Sequence, residues 1–301
     1  MTFEITKVCK NCTPQTVQKY KRDILRLHKL THPQAVKIPE TAGWLKEEKL
    51  YKQYKAMPLN KRRAYSVAGV KSGQAYGLKE NKKWYSAMLQ DIQAYKQQRS
   101  LQNKSEDEKK NWPDGGVKVL KKVASEFKRS IRLALKTPSV ESLYLYSQYI
   151  LVKFYSEVAL RNTLADVEIG KGENHLSKSK GIYTISLSKF KASDKVGKVE
   201  FPLSRALSTA IHKYIKFRAQ IKPDHNYLLV NAKGGKLSKK GLGLILQKLT
   251  KRFTGKSFGT RLLRILHATE HKKVLDKAFK ISKEMLHKNL SQTVSYARKK
   301  E

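Results

Sequence analysis

Three arginines in the C-terminal half stand in settings that call for a partner. Arg264 lies inside the apolar run Leu262, Leu263, Ile265, Leu266, and a guanidinium on a core-facing stretch needs an anion. Arg261 stands one turn earlier. Arg161 follows Val158-Ala159-Leu160 at a predicted helix end, where a cation also complements the helix dipole. Further on, His287 and Tyr296 are nine positions apart, and Arg264 precedes Tyr296 by 32. A guanidinium fork grips two oxygens of an oxyanion and keeps its proton. Histidine exchanges a proton near neutrality, and a tyrosine hydroxyl is a possible nucleophile. Taken singly, each has an ordinary reading: Arg161 a solvated cation, His287 a surface or core histidine, Tyr296 one of 15 tyrosines. Their order and spacing carry the weight.

The charge points the same way. The 301 residues hold 64 Lys+Arg against 24 Asp+Glu, a formal net charge of +40. The excess is shared: residues 1–150 carry 31 basic and 13 acidic side chains, residues 151–301 carry 33 and 11. Such a surface attracts polyanions, nucleic acid first and an anionic membrane second; a generally lysine-rich surface is the plainer explanation. No dense set of Asp and Glu suggests a two-metal nuclease. Cys9 and Cys12 have half of a zinc-site spacing but no second pair, and His28 and His32 lie too far along for a finger. No metal and no cofactor are expected, and two cysteines imply a reducing, intracellular setting. No window approaches the roughly 18 apolar residues of a membrane span, so no membrane partner is expected.

The elements that must position these residues are mainly helical. Thr13 and Pro14 read as an N-cap and first helical position, followed by Val17, Tyr20, Ile24, Leu25 and Leu27 at helical spacing. Segments 41–54, 59–68 and 81–98 continue a helical N-terminal domain over residues 1–105. Its basic residues Lys61, Arg62, Arg63 and Lys71 are candidate DNA contacts, and Gln15 and Gln18 are compatible with base readout. A polar linker is expected at 106–116, ending in Pro113-Asp114-Gly115-Gly116. Residues 117–301 form the second domain. It has helices at 117–135, 140–158, from Ser204, 238–253, 258–270, 274–286 and around 290–297. Strands are expected at 165–169, 181–187 and 199–201, with 227–230 as a further short candidate. The fold class is mainly α (α+β): a helical N-terminal domain, then a mostly helical domain with a small antiparallel sheet.

The C-terminal domain resembles the catalytic domain of tyrosine recombinases, the phage-type integrases. Four places carry the resemblance. They are Val158-Ala159-Leu160-Arg161-Asn162, the basic hairpin ending in Phe201-Pro202-Leu203, Arg261-Leu262-Leu263-Arg264, and Met285-Leu286-His287 followed by Tyr296. The N-terminal bundle is similar to the family's core-binding domain, including Thr16, Val17 and Tyr20. The phrases around Arg161 and Arg264 also resemble the recombinase-like proteins of giant DNA viruses and virophages. The sequence departs from the pattern at Arg261, where the family has histidine, and at Leu164, where an acidic residue often supports the arginine. It departs again at Ile265, which replaces a common histidine, and at Leu286, which replaces a glycine.

The resemblance implies a site-specific recombinase or integrase acting on double-stranded DNA through a 3′-phosphotyrosyl intermediate. Arg161 and Arg264 would clamp the scissile phosphate, His287 would add a donor, and Tyr296 would be the nucleophile. Lys195, with Lys191 as second choice, would be the general acid. Arg261 is a secondary candidate, and His267 could supply the missing imidazole. Four protomers would assemble on two duplexes, each gripping DNA between its two domains. The expected location is at DNA, in a nucleus or a viral replication site. Two alternatives stand beside this reading. One is a DNA-binding protein of the same ancestry with a decayed site, suggested by Arg261 and Leu164. The other is a type IB topoisomerase-like relaxing enzyme.

Overall fold

The computed structural model describes residues 3–8, 12–79, 81–286 and 290. The chain divides into two compact units, residues 1–104 and 105–301.

The first unit is helical: α1 (Pro14–His28), α2 (Glu48–Lys55), α3 (Leu59–Ala75) and α4 (Lys82–Ser100). The α1 start is where the sequence places it. Thr13 is extended, and its hydroxyl accepts from the Thr16 backbone N–H while Pro14 opens the helix. In place of one helix over 41–54 there is a short 3₁₀ turn, Gly43–Lys46, and then α2. The core joins Ile24 and Leu27 to Trp44, Leu45, Leu50, Tyr54 and Trp84. Both tryptophans satisfy their buried N–H: Trp84 donates to the Leu45 carbonyl at 3.0 Å and Trp44 to the Tyr76 hydroxyl at 3.2 Å. Cys12 is in a disulfide bond, which the expectation of reduced cysteines did not anticipate; Cys9 lies outside the described residues.

The second unit opens with α5 (Glu106–Asn111), inside the segment expected as linker. A capping box between Ser105 and Glu108 starts it. The segment expected as one helix over 117–135 is α6 (Val119–Ser130) between two 3₁₀ turns, Gly116–Lys118 and Ala134–Lys136. Next comes α7 (Val140–Tyr155), with Leu143, Ile150, Leu151, Val152, Phe154 and Tyr155 all fully buried. Apolar on most sides, it is the central helix of this unit. Packed on it are α6, α9 (Arg205–Ile221) and α10 (Lys239–Thr254); α11 (Thr260–Glu270) is followed by α12 (Lys272–Glu284), which packs on α11, and the four-residue α8 (Ser193–Val196) precedes α9 in the chain.

The sheet has four strands in sequential order: β1 (Glu168–Ile169), β2 (Asn174–Ser179), β3 (Ile182–Leu187) and β4 (Val199–Pro202). β2–β3 and β3–β4 are antiparallel, but β1 runs parallel to β2, so the sheet is mixed. The small sheet expected from the sequence is present, with antiparallel β2–β3 and β3–β4 pairs, and it gains the strand β2 and a parallel edge at β1. Leu176 is the one large aliphatic residue in β2, so the strand has little alternation to betray it. Gly170 (φ 93°) and Gly172 (φ 146°) adopt left-handed backbone that folds the short connection back on itself. The candidate strand at 227–230 makes single bridges, Glu168 with Tyr227 and Val230 with Lys236.

Candidate phosphate-binding site

Arg161 sits where α7 has ended and a 3₁₀ turn, Asn162–Asp166, begins. Its backbone is held from two directions. The Tyr155 hydroxyl donates to the Arg161 carbonyl at 2.7 Å. On the other side, Asn162 Nδ2 donates to the Lys239 carbonyl at 2.8 Å, and Asn162 Oδ1 accepts from Thr260 Oγ1 at 2.6 Å. The arginine side chain itself is exposed. Tyr155 is fully buried, and burial raises its pKa far above the phenol range, so it is a neutral donor.

Arg264 lies in the middle of α11. Leu262, Leu263 and Leu266 bury the adjacent face, which leaves Arg264 half-buried at the core margin. Its Nε donates to the Thr260 carbonyl at a long 3.4 Å. Burial lowers its pKa below the ordinary guanidinium value, and the positive charges of Arg161 and Arg261 lower it further. It stays cationic at any ordinary pH. The positive field of Arg161 therefore acts on the arginine with which it is expected to work. Among the described residues, no carboxylate lies within ion-pair distance of Arg161 or Arg264.

Arg261 is placed differently. Its side chain is largely exposed and pairs with Glu108 of α5 at 2.9 Å. The same carboxylate accepts from the Ser105 backbone N–H at 3.0 Å, closing the capping box. His267, one turn past Arg264, brings Nε2 to 3.2 Å from the Tyr155 carbonyl. Leu164 is fully buried in the core, so its side chain packs and cannot support Arg161 electrostatically. Asp166, at the end of the same turn, binds Lys236 at 3.0 Å and Lys239 at 2.5 Å. Burial pushes its carboxyl up, but hydrogen bonds to Lys239 and Lys236 outweigh that and hold it below the usual range.

The other expected residues scatter. Lys191 and Lys195 both lie on the β3–β4 connection and are exposed; Lys195 is in α8. Among the described residues, no hydrogen bond or ion pair joins either to the arginines. His287 and Tyr296 lie outside the described residues. In the first unit, Arg62 is committed to the buried Asp91 at 2.6 Å. Arg63 stacks on the Tyr95 ring at 4.0 Å, and Lys71 donates to Gln74 at 3.1 Å. Lys61 is exposed. Tyr155 and Thr260 were not singled out from the sequence. Thr260 meets Asn162 across 98 positions, an approach that only the fold makes, whereas Tyr155 closes α7 six residues before Arg161.

Solved structures share this fold. The XerH site-specific recombinase bound to its difH substrate, in a pre-cleavage complex, aligns with a TM-score of 0.50 and 16% identity, over 96% of this chain and 79% of that one. XerA recombinase aligns with a TM-score of 0.41 and 12% identity, over 99% of this chain and 93% of that one. No protein-family model and no curated protein matches the chain. The fold, helical with a small mixed sheet, resembles that of the XerH recombinase. At 16% identity the likeness concerns the fold, and what the site does must be argued from its residues. No helix among the described residues is long and apolar enough to cross a membrane.

Proposed function

We propose that this chain is a site-specific DNA strand transferase that cleaves and rejoins DNA through a phosphotyrosyl intermediate. One observation carries the reading: Arg161 opens a turn whose Asn162 side chain bonds to Thr260, the first residue of the helix that carries Arg264, and neither arginine has a carboxylate partner among the described residues. Two guanidiniums without a carboxylate partner among the described residues fit an anion with several equivalent oxygens, and phosphate is such an anion. Preorganised cations stabilise a phosphoryl transition state more than its ground state, because charge accumulates on the nonbridging oxygens as the bond breaks. In this reading Tyr296 attacks phosphorus, and the 5′-oxygen leaves with a proton from Lys195 or Lys191. His287 adds a donor to the phosphate. The phosphotyrosyl ester keeps the bond energy, so a 5′-hydroxyl from a second strand reverses the step and releases Tyr296 without ATP.

Double-stranded DNA is the proposed partner. The charge of +40 favours a polyanion, and the XerH structure sharing the fold holds its difH substrate. Four protomers on two duplexes would carry out exchange, at DNA in a nucleus or a viral replication site. Phosphate contacts would dominate affinity, so binding should weaken steeply with salt.

The test is a nicked suicide substrate. The wild type should form a covalent adduct, and Tyr296→Phe should form none while still binding duplex. An adduct that survives Tyr296→Phe, or its absence from the wild type, overturns the assignment. The second outcome would favour the binding-only alternative, which the Arg261–Glu108 pair supports because it engages a cation at the position where the family has histidine. Relaxation of supercoils by the monomer, without exchange between two sites, would favour the topoisomerase-like alternative.

A further inference from the structure

Hydrogen bonds from the Asn162 side chain tie the turn beside Arg161 to the starts of α10 and α11, and Arg264 lies on α11. Asn162 is the neighbour of Arg161 and uses both ends of its amide. Nδ2 donates to the carbonyl of Lys239, the first residue of α10, at 2.8 Å. Oδ1 accepts from the hydroxyl of Thr260, the first residue of α11, at 2.6 Å. The amide orientation follows from its partners, since the Lys239 carbonyl can only accept. Thr260 then reaches the second arginine, its carbonyl accepting from Arg264 Nε. One asparagine therefore ties the Arg161 turn to the start of two helices, one of which carries Arg264.

We propose that Asn162, acting with Thr260, is a positioning residue that sets the spacing of Arg161 and Arg264 for one phosphate. The inference rests on the strand-transfer reading above. Three physical points support it. Arg161 and Arg264 carry like charges, and the field of one acts on the other, so a brace that sets their spacing should not itself be an anion. An asparagine braces without cancelling the positive field that the phosphate requires. Aspartate would still accept from Thr260, but it would face the Lys239 carbonyl with a lone pair and place a negative charge beside Arg161. The Tyr155 hydroxyl holds the other side of the turn through the Arg161 carbonyl, so loss of Asn162 frees the turn at one side only. The expected consequence is misplacement of Arg161 with the fold retained.

The experiment compares the full chain with Asn162→Ala, Thr260→Val and Thr260→Ser. Three quantities are read: the single-turnover rate of covalent capture on saturating suicide substrate, duplex affinity, and inorganic phosphate binding followed by ³¹P NMR. A displacement of about 1 Å costs on the order of 100-fold in rate. Asn162→Ala and Thr260→Val should each slow capture by about that factor, and their combination should be no slower than either alone, because both cut the same brace. Duplex affinity should stay at the wild-type level, phosphate binding should weaken, and Thr260→Ser should keep the wild-type rate. Wild-type capture and wild-type phosphate binding in Asn162→Ala would overturn the inference. So would a Thr260→Ser variant as slow as Thr260→Val, or a loss of capture that merely follows a loss of duplex affinity and folding. If the wild type captures no DNA, the strand-transfer reading fails, and the phosphate arm still decides the role of Asn162: unchanged phosphate binding overturns it.

Discussion

Replacing Arg62 should damage the fold of the first unit before it affects any encounter with DNA. Arg62 of α3 donates through Nε to Asp91 of α4 at 2.6 Å. Asp91 is fully buried, and the Tyr54 hydroxyl donates to the same carboxylate. Arg62→Gln would leave that carboxylate buried with one neutral partner. Breaking a buried pair from one side costs about 3–5 kcal/mol. The Arg62 side chain keeps 26% of its exposure, so water replaces part of the lost contact and the low end, about 3 kcal/mol, is expected. At about 4–8 °C per kcal/mol for a domain near 100 residues, Tm should fall by roughly 12–24 °C. Denaturation followed by tryptophan fluorescence reads this unit directly, since Trp44 and Trp84 are both in its core. Adding Asp91→Asn should restore most of the loss, because no uncompensated charge then remains. If Arg62 were instead a free DNA contact, Arg62→Gln would leave stability within about 0.5 kcal/mol and lower the salt slope of binding by about one. That result would refute the structural assignment.

Gly69→Ala sets two effects against each other. Alanine gains about 1 kcal/mol of helix propensity, but its Cβ would lie 2.3 Å from Trp84 ring carbons. Overpacking at about 1–3 kcal/mol or more should win, with a lowered Tm as the readout. Asp166→Asn should act through pH. The folded carboxyl is held below its ordinary value, so its stabilisation is present above the unfolded pKa of about 3.9 and lost as pH falls through the folded value. The variant should be less stable than the wild type at pH 7, and the two denaturation curves should converge in acid. Glu108→Gln should free Arg261 and weaken the α5 capping box. Faster hydrogen exchange across 106–111 and tighter, more salt-dependent DNA binding are expected, whereas unchanged exchange would contradict the double role of Glu108.

Local rules made much of the fold legible. Thr13-Pro14, Ser204 and Ser238 cap helices where their chemistry says they should, since an N-cap needs only the residues beside it. The capping box of α5 was also present in the letters, as Ser105 and Glu108, inside a segment whose polarity favours a linker. β2 was illegible because a strand with one large apolar residue owes its existence to β3, whose Tyr183, Ile185 and Leu187 are buried. At the site, the sequence pointed to the order of Arg161 and Arg264 along the chain. It said nothing of Tyr155 and Thr260, which reach the Arg161 turn through contacts that periodicity does not encode.

The charge of +40, the helical character and the arginines at 161, 261 and 264 belong to the sequence alone. Which cations are already engaged was decided only by tertiary structure. Arg62 meets Asp91 across 29 positions and Arg261 meets Glu108 across 153, whereas Arg161 and Arg264 have no carboxylate partner among the described residues. The reason is physical. Helix caps and hydrophobic periods act over a few residues, but an ion pair forms wherever packing brings two charges within about 4 Å. Only the folded chain therefore shows which arginines are already held by carboxylates.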